Sequence, residues 1–118
     1  MRSASVDFVI CCNVIDHASD PAAILREIHR VLKPEGLFFF DVDTFSVLGL
    51  MKWHSWTKWI YKDLIMVQAH PHRMSEANVV RKLKSAGFQL RRLYGHTLRS
   101  NLVGHARNST FLGTKCNP

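Results

Sequence analysis

The stretch VDFVICCNVIDHASDPAAILREIHRVLKPEGLFFFDVD, which runs from Val6 to Asp43, decides the fold. Residues 6–13 and 37–43, at its two ends, are continuous apolar runs. Runs of this kind form strands that are buried on both faces of a parallel sheet. The stretch therefore predicts two parallel strands joined by the segment between them.

The joining segment has the features of a helix over residues 20–32. Asp20 is a good N-cap and Pro21 suits the first helical position. Apolar residues recur at helical spacing after it and form one apolar face. Pro34 and Gly36 then end the helix. Strand, helix and strand form a βαβ unit, so the fold class is α/β.

Polar side chains stand where each of the two strands ends. Asn13, Asp16 and His17 follow the first strand, and Asp41 and Asp43 close the second. The carboxyl ends of parallel strands meet at one edge of the sheet, where α/β proteins bind their ligands. We therefore expect the functional site at this edge.

The rest of the chain adds four segments of regular structure and one loop. In order they are an aromatic and basic, broadly helical segment over 45–67, a helix over 75–86, a strand over 88–95, a polar loop over 101–108 and a strand over 109–116. Capping residues flank the second helix, with Ser75 before it and Gly87 after it.

Length and composition narrow the possible functions. The 118 residues make one domain, and the formal charge of +7 comes from scattered basic residues. The charge alone does not indicate nucleic-acid binding, and the sequence has no recognition motif, so we expect no nucleic-acid partner. Cys11 and Cys12 are adjacent in an apolar run, which indicates free thiols and a cytoplasmic location. We find no secretory signal and no apolar stretch long enough to cross a bilayer.

The residues VDFVICCNVIDHASDPAAILREIHRVLKPEGLFFFDV resemble the second half of a class I S-adenosylmethionine-dependent methyltransferase. The pattern is closest to the small-molecule O- and C-methyltransferases of ubiquinone and menaquinone biosynthesis. That group has an E-V-L-E-H type element, D-P, an amphipathic helix and R-V-L-K-P-G-G. The later stretch HPHRMSEANVVRKLKSAGFQLRRLYG is similar to the family's His, Arg, capped helix, A-G-F and strand. The resemblance implies methyl transfer from S-adenosylmethionine to a small-molecule acceptor.

The resemblance also implies a truncated Rossmann-like sheet with helices packed on it. The family's strand order is 3-2-1-4-5-7-6, and this chain begins at the fourth strand. Only strands equivalent to 4-5-7-6 can then form, the last one antiparallel, in a single partial methyltransferase domain over residues 1–118. None of the six glycines forms the glycine-rich turn that holds the cofactor, and the ribose-binding acid is also absent. We therefore expect no strong S-adenosylmethionine binding by this chain alone.

Site residues follow from the same resemblance. Asn13 and Val14 lie where the family places residues beside the methionine end of the cofactor. Asp16 and His17 match an acid–His pair near the acceptor, so we interpret them as catalytic, with His17 as a general base. The residues alone are equally compatible with Asn13 and Asp16 capping the turn and with His17 packing under the helix. We expect no metal, because Asn13 replaces the family's first acid.

Residues 44–69 are an aromatic and basic insert, interpreted as a lid or an oligomerisation element. Trp53, Trp56 and Tyr61 could stack on a flat acceptor as part of a lid. Packing in the core or a dimer is our first interpretation, a lid the second, and a helix lying on an anionic membrane the third.

The apolar strand over residues 7–12 would lack its central neighbour and become an exposed edge. Such edges pair with other chains. We therefore expect a homo-oligomer formed through this edge or through the Trp-rich segment. The alternative function is a non-catalytic, methyltransferase-like interaction module that self-associates.

Overall fold

A computed structural model describes residues 1–46, 48, 72, 74–95 and 106–116. Its elements, in chain order, are β1 (Val6–Cys12), a 3-10 turn (Ile15–His17), α1 (Pro21–Val31), β2 (Leu32–Phe45), α2 (Glu76–Ser85), β3 (Phe88–Tyr94) and β4 (Ala106–Lys115). No helix in these ranges is long and apolar enough to span a membrane.

The four strands form one sheet in the order β1-β2-β4-β3. β1 and β2 run parallel, and β4 is antiparallel to both of its neighbours, β2 and β3. This is the order 4-5-7-6 that the resemblance implies, and the strand equivalent to 7, which is β4, is the antiparallel one. The predicted fold class is confirmed.

α1 and α2 each begin directly after the residue that was predicted to cap them. The Asp20 side chain accepts a hydrogen bond from the Ala23 N–H at 3.0 Å, and Pro21 occupies the first turn of α1. The Ser75 side chain caps α2 in the same way, accepting from the Asn78 N–H at 3.2 Å. These caps satisfy N–H groups that the first turn of a helix cannot pair internally.

The core lies between the two helices and one face of the sheet. Phe38 stacks on Phe88 with ring centroids 4.7 Å apart, and Phe40 lies 5.7 Å from Phe111. The helices contribute buried apolar residues to this cluster, namely Leu25 and Ile28 from α1 and Val79 and Leu83 from α2. The second face of the sheet is called the outer face below.

The prediction that β1 and β2 are buried on both faces is wrong for the outer face. Phe8 and Ile10 of β1 are 45% and 62% exposed, and Leu37 of β2 is 44% exposed. Cys11, Phe38 and Phe40, on the helix-covered face, are buried. The physical reason is that α1 and α2 both pack on the same face of the sheet, where they share one cluster with the inner-face residues.

Two strand boundaries differ from the predictions. β2 begins at Leu32, because Leu32 pairs with Val6 before the register shifts and Phe8 pairs with Leu37. Residues 106–108, predicted as loop, belong to β4, where Asn108 pairs with Asp43 of β2. In both cases pairing with a neighbouring strand overrides the local composition, which contains Pro34 in one segment and polar residues in the other.

Candidate functional site

The site begins where β1 ends. Asn13 has a left-handed backbone (φ 49°), a conformation that asparagine tolerates better than most residues. Its N–H donates to the Asp41 carbonyl oxygen at 2.8 Å, which holds the end of β1 against β2. The chain then turns at once into the 3-10 turn, so the side chains that follow Asn13 lie at the carboxyl end of the parallel strand pair.

A second asparagine, which sequence reasoning missed, contacts the first. The Asn108 amide nitrogen donates to Asn13 Oδ1 at 3.2 Å and lies 3.4 Å from Asp43 Oδ1. These contacts tie the ends of β1, β2 and β4 together. The signal that could have located Asn108 is its place opposite Asp43 in the antiparallel register. That register cannot be read from the polar composition of residues 101–108.

Asp16 and His17 are adjacent in the 3-10 turn but differ in burial. Asp16 is 1% exposed, whereas the His17 side chain is 41% exposed. His17 Nε2 lies 3.6 Å from Asp16 Oδ2. This distance is short enough for an ion pair but longer than an ordinary hydrogen bond. The Asp16 carbonyl oxygen accepts from the His72 N–H at 3.2 Å, which brings His72 to the turn.

An open groove of about 610 Å³ lies beside the 3-10 turn. Three of the predicted site residues, Asn13, Val14 and His17, line it; buried Asp16 is not part of the lining. The remaining lining comes from the turn after His17 and the first turns of α1, namely Ala18, Ser19, Asp20, Ala23 and Ile24. The groove thus combines an amide, an imidazole, a hydroxyl and a carboxylate with an apolar wall.

The pKa of Asp20, the carboxylate of the groove, is lowered by contacts with α1, the helix that it caps. The Ala23 N–H, and after it the charge of Arg26, hold the pKa of Asp20 below its usual value. Arg26 lies 3.5 Å from Asp20 in an exposed ion pair. Asp20 therefore gives the groove a negative charge at neutral pH.

The predicted insert over residues 44–69 falls largely outside the described residues. Trp53, Trp56 and Tyr61 lie in that part, so their role as a lid stays a prediction. At the start of the insert, Thr44 is fully buried and its hydroxyl lies 2.6 Å from Ser109 Oγ.

Within the described ranges, no three His, Cys, Asp or Glu side chains gather closely enough to hold a metal ion. Asp41 and Asp43 both lie at the carboxyl end of β2. The Thr110 hydroxyl is 3.5 Å from Asp41 Oδ1, while Asp43 faces the Asn108 amide. These two carboxylates thus contact residues of β4.

The methyltransferase domain family matches residues 1–40, which include β1, the 3-10 turn and α1. The ubiquinone biosynthesis O-methyltransferase of Neisseria meningitidis is 44% identical over 37 residues, 31% of this chain and 16% of that protein. The thiol S-methyltransferase of Rattus norvegicus is 42% identical over 40 residues, 34% of this chain and 16% of that protein.

Solved structures match over almost the whole chain. The S-adenosylmethionine-dependent methyltransferase of Mesorhizobium loti superposes with a TM-score of 0.66 at 14% identity, covering 98% of this chain and 64% of that one. Across several such structures the chain covers between 39% and 67% of the longer protein. The chain therefore spans only part of the length of the proteins it matches.

Proposed function

We propose that this chain, which has the sequence pattern and the fold of the class I S-adenosylmethionine-dependent methyltransferases, forms the acceptor-side wall of a site for methyl transfer to a small molecule. The observation that carries this proposal is the groove at the end of β1. Its lining falls within the residues that match the methyltransferase domain family.

The groove suits the chemistry that methyl transfer requires. S-adenosylmethionine supplies a methyl group activated by a sulfonium. The protein has to align an acceptor with that methyl group and remove the acceptor's proton. The volume of about 610 Å³ lies within the range of small-molecule sites, about 300–1,000 Å³.

Four of the lining residues and the buried Asp16 have roles in this proposal. The exposed imidazole of His17 takes the proton from the acceptor, and its neighbour Asp16 stabilises the positive charge that forms on the ring. The Asn13 amide, oriented by Asn108, hydrogen-bonds the methionine end of the cofactor, and Val14 contacts the same group. Asp20 attracts a cationic ligand to the mouth of the groove.

The lining fits only part of the cofactor. It includes no glycine, and no two glycines of the chain fall in a G-x-G pattern, so a close backbone approach to the adenosine is not provided. We therefore propose that tight cofactor binding needs residues beyond this chain and that binding by the chain alone is weak.

The acceptor atom is not decided by the matched segment. By their names, one relative methylates oxygen and the other methylates sulfur, although each matches this chain over about 40 residues or fewer. A general base at His17 serves either acceptor, because both hydroxyl and thiol groups must lose a proton. We propose a small hydroxyl- or thiol-bearing acceptor.

Nuclear magnetic resonance of the isotope-labelled chain tests the proposal. Millimolar S-adenosylmethionine should shift the backbone amide signals of residues 13–24, and Asn13→Ala should reduce these shifts. Arg91→Ala, on β3, is the matched control and should leave them unchanged. Shifts confined to other parts of the chain would contradict the assignment of the groove.

A separate calorimetry experiment tests whether this chain alone binds S-adenosylmethionine only weakly. We expect no heat of binding at micromolar S-adenosylmethionine. A micromolar dissociation constant would show that the chain binds the cofactor without further residues, while leaving the location of the groove intact.

The three thiols favour a reducing compartment. Cys11 is buried, Cys12 and Cys116 are exposed, and all three are free. Exposed free thiols persist where glutathione and thioredoxin keep them reduced, so we propose a cytoplasmic protein.

A further inference from the structure

A second groove, of about 400 Å³, lies between α1 and α2 and is called the helix groove below. Among the described residues, none lines both this groove and the groove at the end of β1. α2 leads into β3, which is at the opposite edge of the sheet from β1. The helix groove therefore lies on the side of α1 that faces away from the β1 edge, and a strand added beside β1 would not reach it.

Small side chains keep the helix groove open. Ala22 of α1 and Ala86, the residue after α2, line it, and Leu25 lines it from the core with 3% of its surface exposed. An alanine side chain ends at Cβ, so these positions send no long side chain into the gap between the helices. One turn further along α1 the gap closes, because His29 packs edge-on against Phe88 with ring centroids 5.4 Å apart. The interior of the helix groove is thus apolar and bounded.

The rim of the helix groove has three cations and, among the described residues, no carboxylate. Arg26 comes from α1, and Arg81 and Lys82 come from α2; all three are exposed. Arg26 is paired with Asp20 at 3.5 Å. No carboxylate in the described ranges lies within ion-pair distance of Arg81 or Lys82. The positive charges of these two residues are therefore available to a ligand.

Helical spacing brings these cations to one opening. Residues four positions apart lie on the same side of a helix, as Ala22 and Arg26 do on α1 and Arg81 and Ser85 do on α2. Basic residues near the C-terminus of a helix also interact favourably with the helix dipole. Arg26 is in the middle of α1, however, so the dipole does not account for the whole set.

We propose that the helix groove binds a small organic anion. The apolar body of the anion lies against Leu25 between the helices, and its carboxylate or phosphate group contacts Arg81 and Lys82. A guanidinium matches the geometry of both anionic groups with paired hydrogen bonds, and an ammonium adds a point charge. The volume falls within the range of small-molecule sites, about 300–1,000 Å³. A bounded, apolar groove suits a small ligand better than an extended acidic chain or a membrane surface.

Nuclear magnetic resonance titration with 4-phenylbutyrate tests this inference, which does not depend on the proposed function because the two grooves have separate linings. We expect shifts in the backbone amide signals of residues 22–26 and 81–86. 4-Phenylbutyramide has the same apolar body without the charge, and acetate has the charge without the body. Each should bind about tenfold more weakly or worse. Equal binding of 4-phenylbutyramide, or no shift of these signals at millimolar 4-phenylbutyrate, would overturn the proposal.

Charge variants separate the helix groove from the general positive charge of the chain. Arg81→Gln and Lys82→Gln should each raise the dissociation constant for 4-phenylbutyrate about two- to fivefold, which is the contribution of one exposed ion pair. Lys84→Gln removes the same charge from the same helix at an exposed position outside the lining, so it is the matched control and should leave the constant unchanged. Equal weakening by all three substitutions would refute the site.

A filling variant tests the apolar part of the helix groove. Ala22→Leu adds a side chain at an exposed position of α1, where leucine favours the helix, and it should abolish the binding of 4-phenylbutyrate. Ala77→Leu, at an exposed position of α2 outside the lining, is the matched control and should bind normally. Circular dichroism verifies that both variants fold. Binding that survives Ala22→Leu, or signals that respond to phosphatidylglycerol vesicles and not to 4-phenylbutyrate, would show that the proposed occupant is wrong.

Discussion

Replacing Ser109 with alanine should lower the free energy of unfolding by about 2–4.5 kcal/mol, because Ser109 joins two elements through one buried and one partly buried hydrogen bond. Its hydroxyl donates to Glu76 Oε1 of α2 at 2.9 Å. A hydroxyl has a single proton, so in the 2.6 Å contact with Thr44 it is the Thr44 hydroxyl that donates. Thr44 and Ser109 are both 0% exposed.

The magnitude follows from these two bonds. A hydrogen bond to a charged group contributes roughly 1.5–3 kcal/mol, and one between neutral groups roughly 0.5–1.5 kcal/mol. Ser109→Ala removes one bond of each kind. For a domain whose total stability is about 5–15 kcal/mol, the loss is large. It should appear as a lower midpoint in urea denaturation followed by circular dichroism.

A double-mutant cycle separates this chain of hydroxyls from general effects of the substitution. Thr44→Val keeps the shape of the side chain and removes its proton donor. With Ser109→Ala present it should cost about 1 kcal/mol less than alone, because the bond between the two hydroxyls is already gone. Ser85→Ala, an exposed serine of α2, is the matched control and should stay within about 0.5 kcal/mol of the wild type. Strictly additive effects, or a cost for Ser109→Ala no larger than that of the control, would refute the reasoning.

Three further predictions concern single residues. Glu35 has φ 61° and occupies a place where the family pattern has glycine, so Glu35→Gly should raise the free energy of unfolding by up to about 1 kcal/mol. Glu35→Ala keeps the backbone strain and should give no gain. Equal effects of the two substitutions in urea denaturation would contradict this prediction. Burial raises the pKa of the Cys11 thiol from 9.0 to about 11. The stability that Cys11 contributes is therefore complete below pH 9 and lost as the pH rises towards 11, where the unfolded chain already holds a thiolate. Cys11→Ala should remove this fall from pH-dependent denaturation curves, and an unchanged curve would count against the assignment. Gly87 has φ 88°, and a Cβ there would lie 2.7 Å from His29 Nε2, so Gly87→Ala should cost at least about 1 kcal/mol, whereas an unchanged melting temperature would show that the turn relaxes.

The local elements of the fold could be read from the sequence. Asp20 and Ser75 were identified as helix caps, and the structure places their side chains on the Ala23 and Asn78 N–H groups. Such signals are local, because a cap and its helix lie within a few residues of each other. The sheet order came from the resemblance, since hydrophobic periodicity does not specify which strands are neighbours.

The candidate site was predicted only in part. Asn13, Val14 and His17 were named from the sequence and line one groove. Asp16 was named with them but lies buried, because the 3-10 turn directs consecutive side chains to different sides. Asn108 was missed, since it is separated from Asn13 by 95 positions and meets it only through the pairing of β4 with β2.

The sequence by itself determined the strand–helix–strand unit, the helix caps and the lack of a glycine-rich turn, because each depends on residues close together in the chain. Only the tertiary structure decided that Phe8 and Ile10 remain exposed, that residues 106–108 join β4, and that Thr44, Ser109 and Glu76 share a line of hydrogen bonds. These features depend on which elements pack against which. Burial and pairing are properties of the assembled layers, and a local pattern of apolar and polar residues is compatible with more than one assembly.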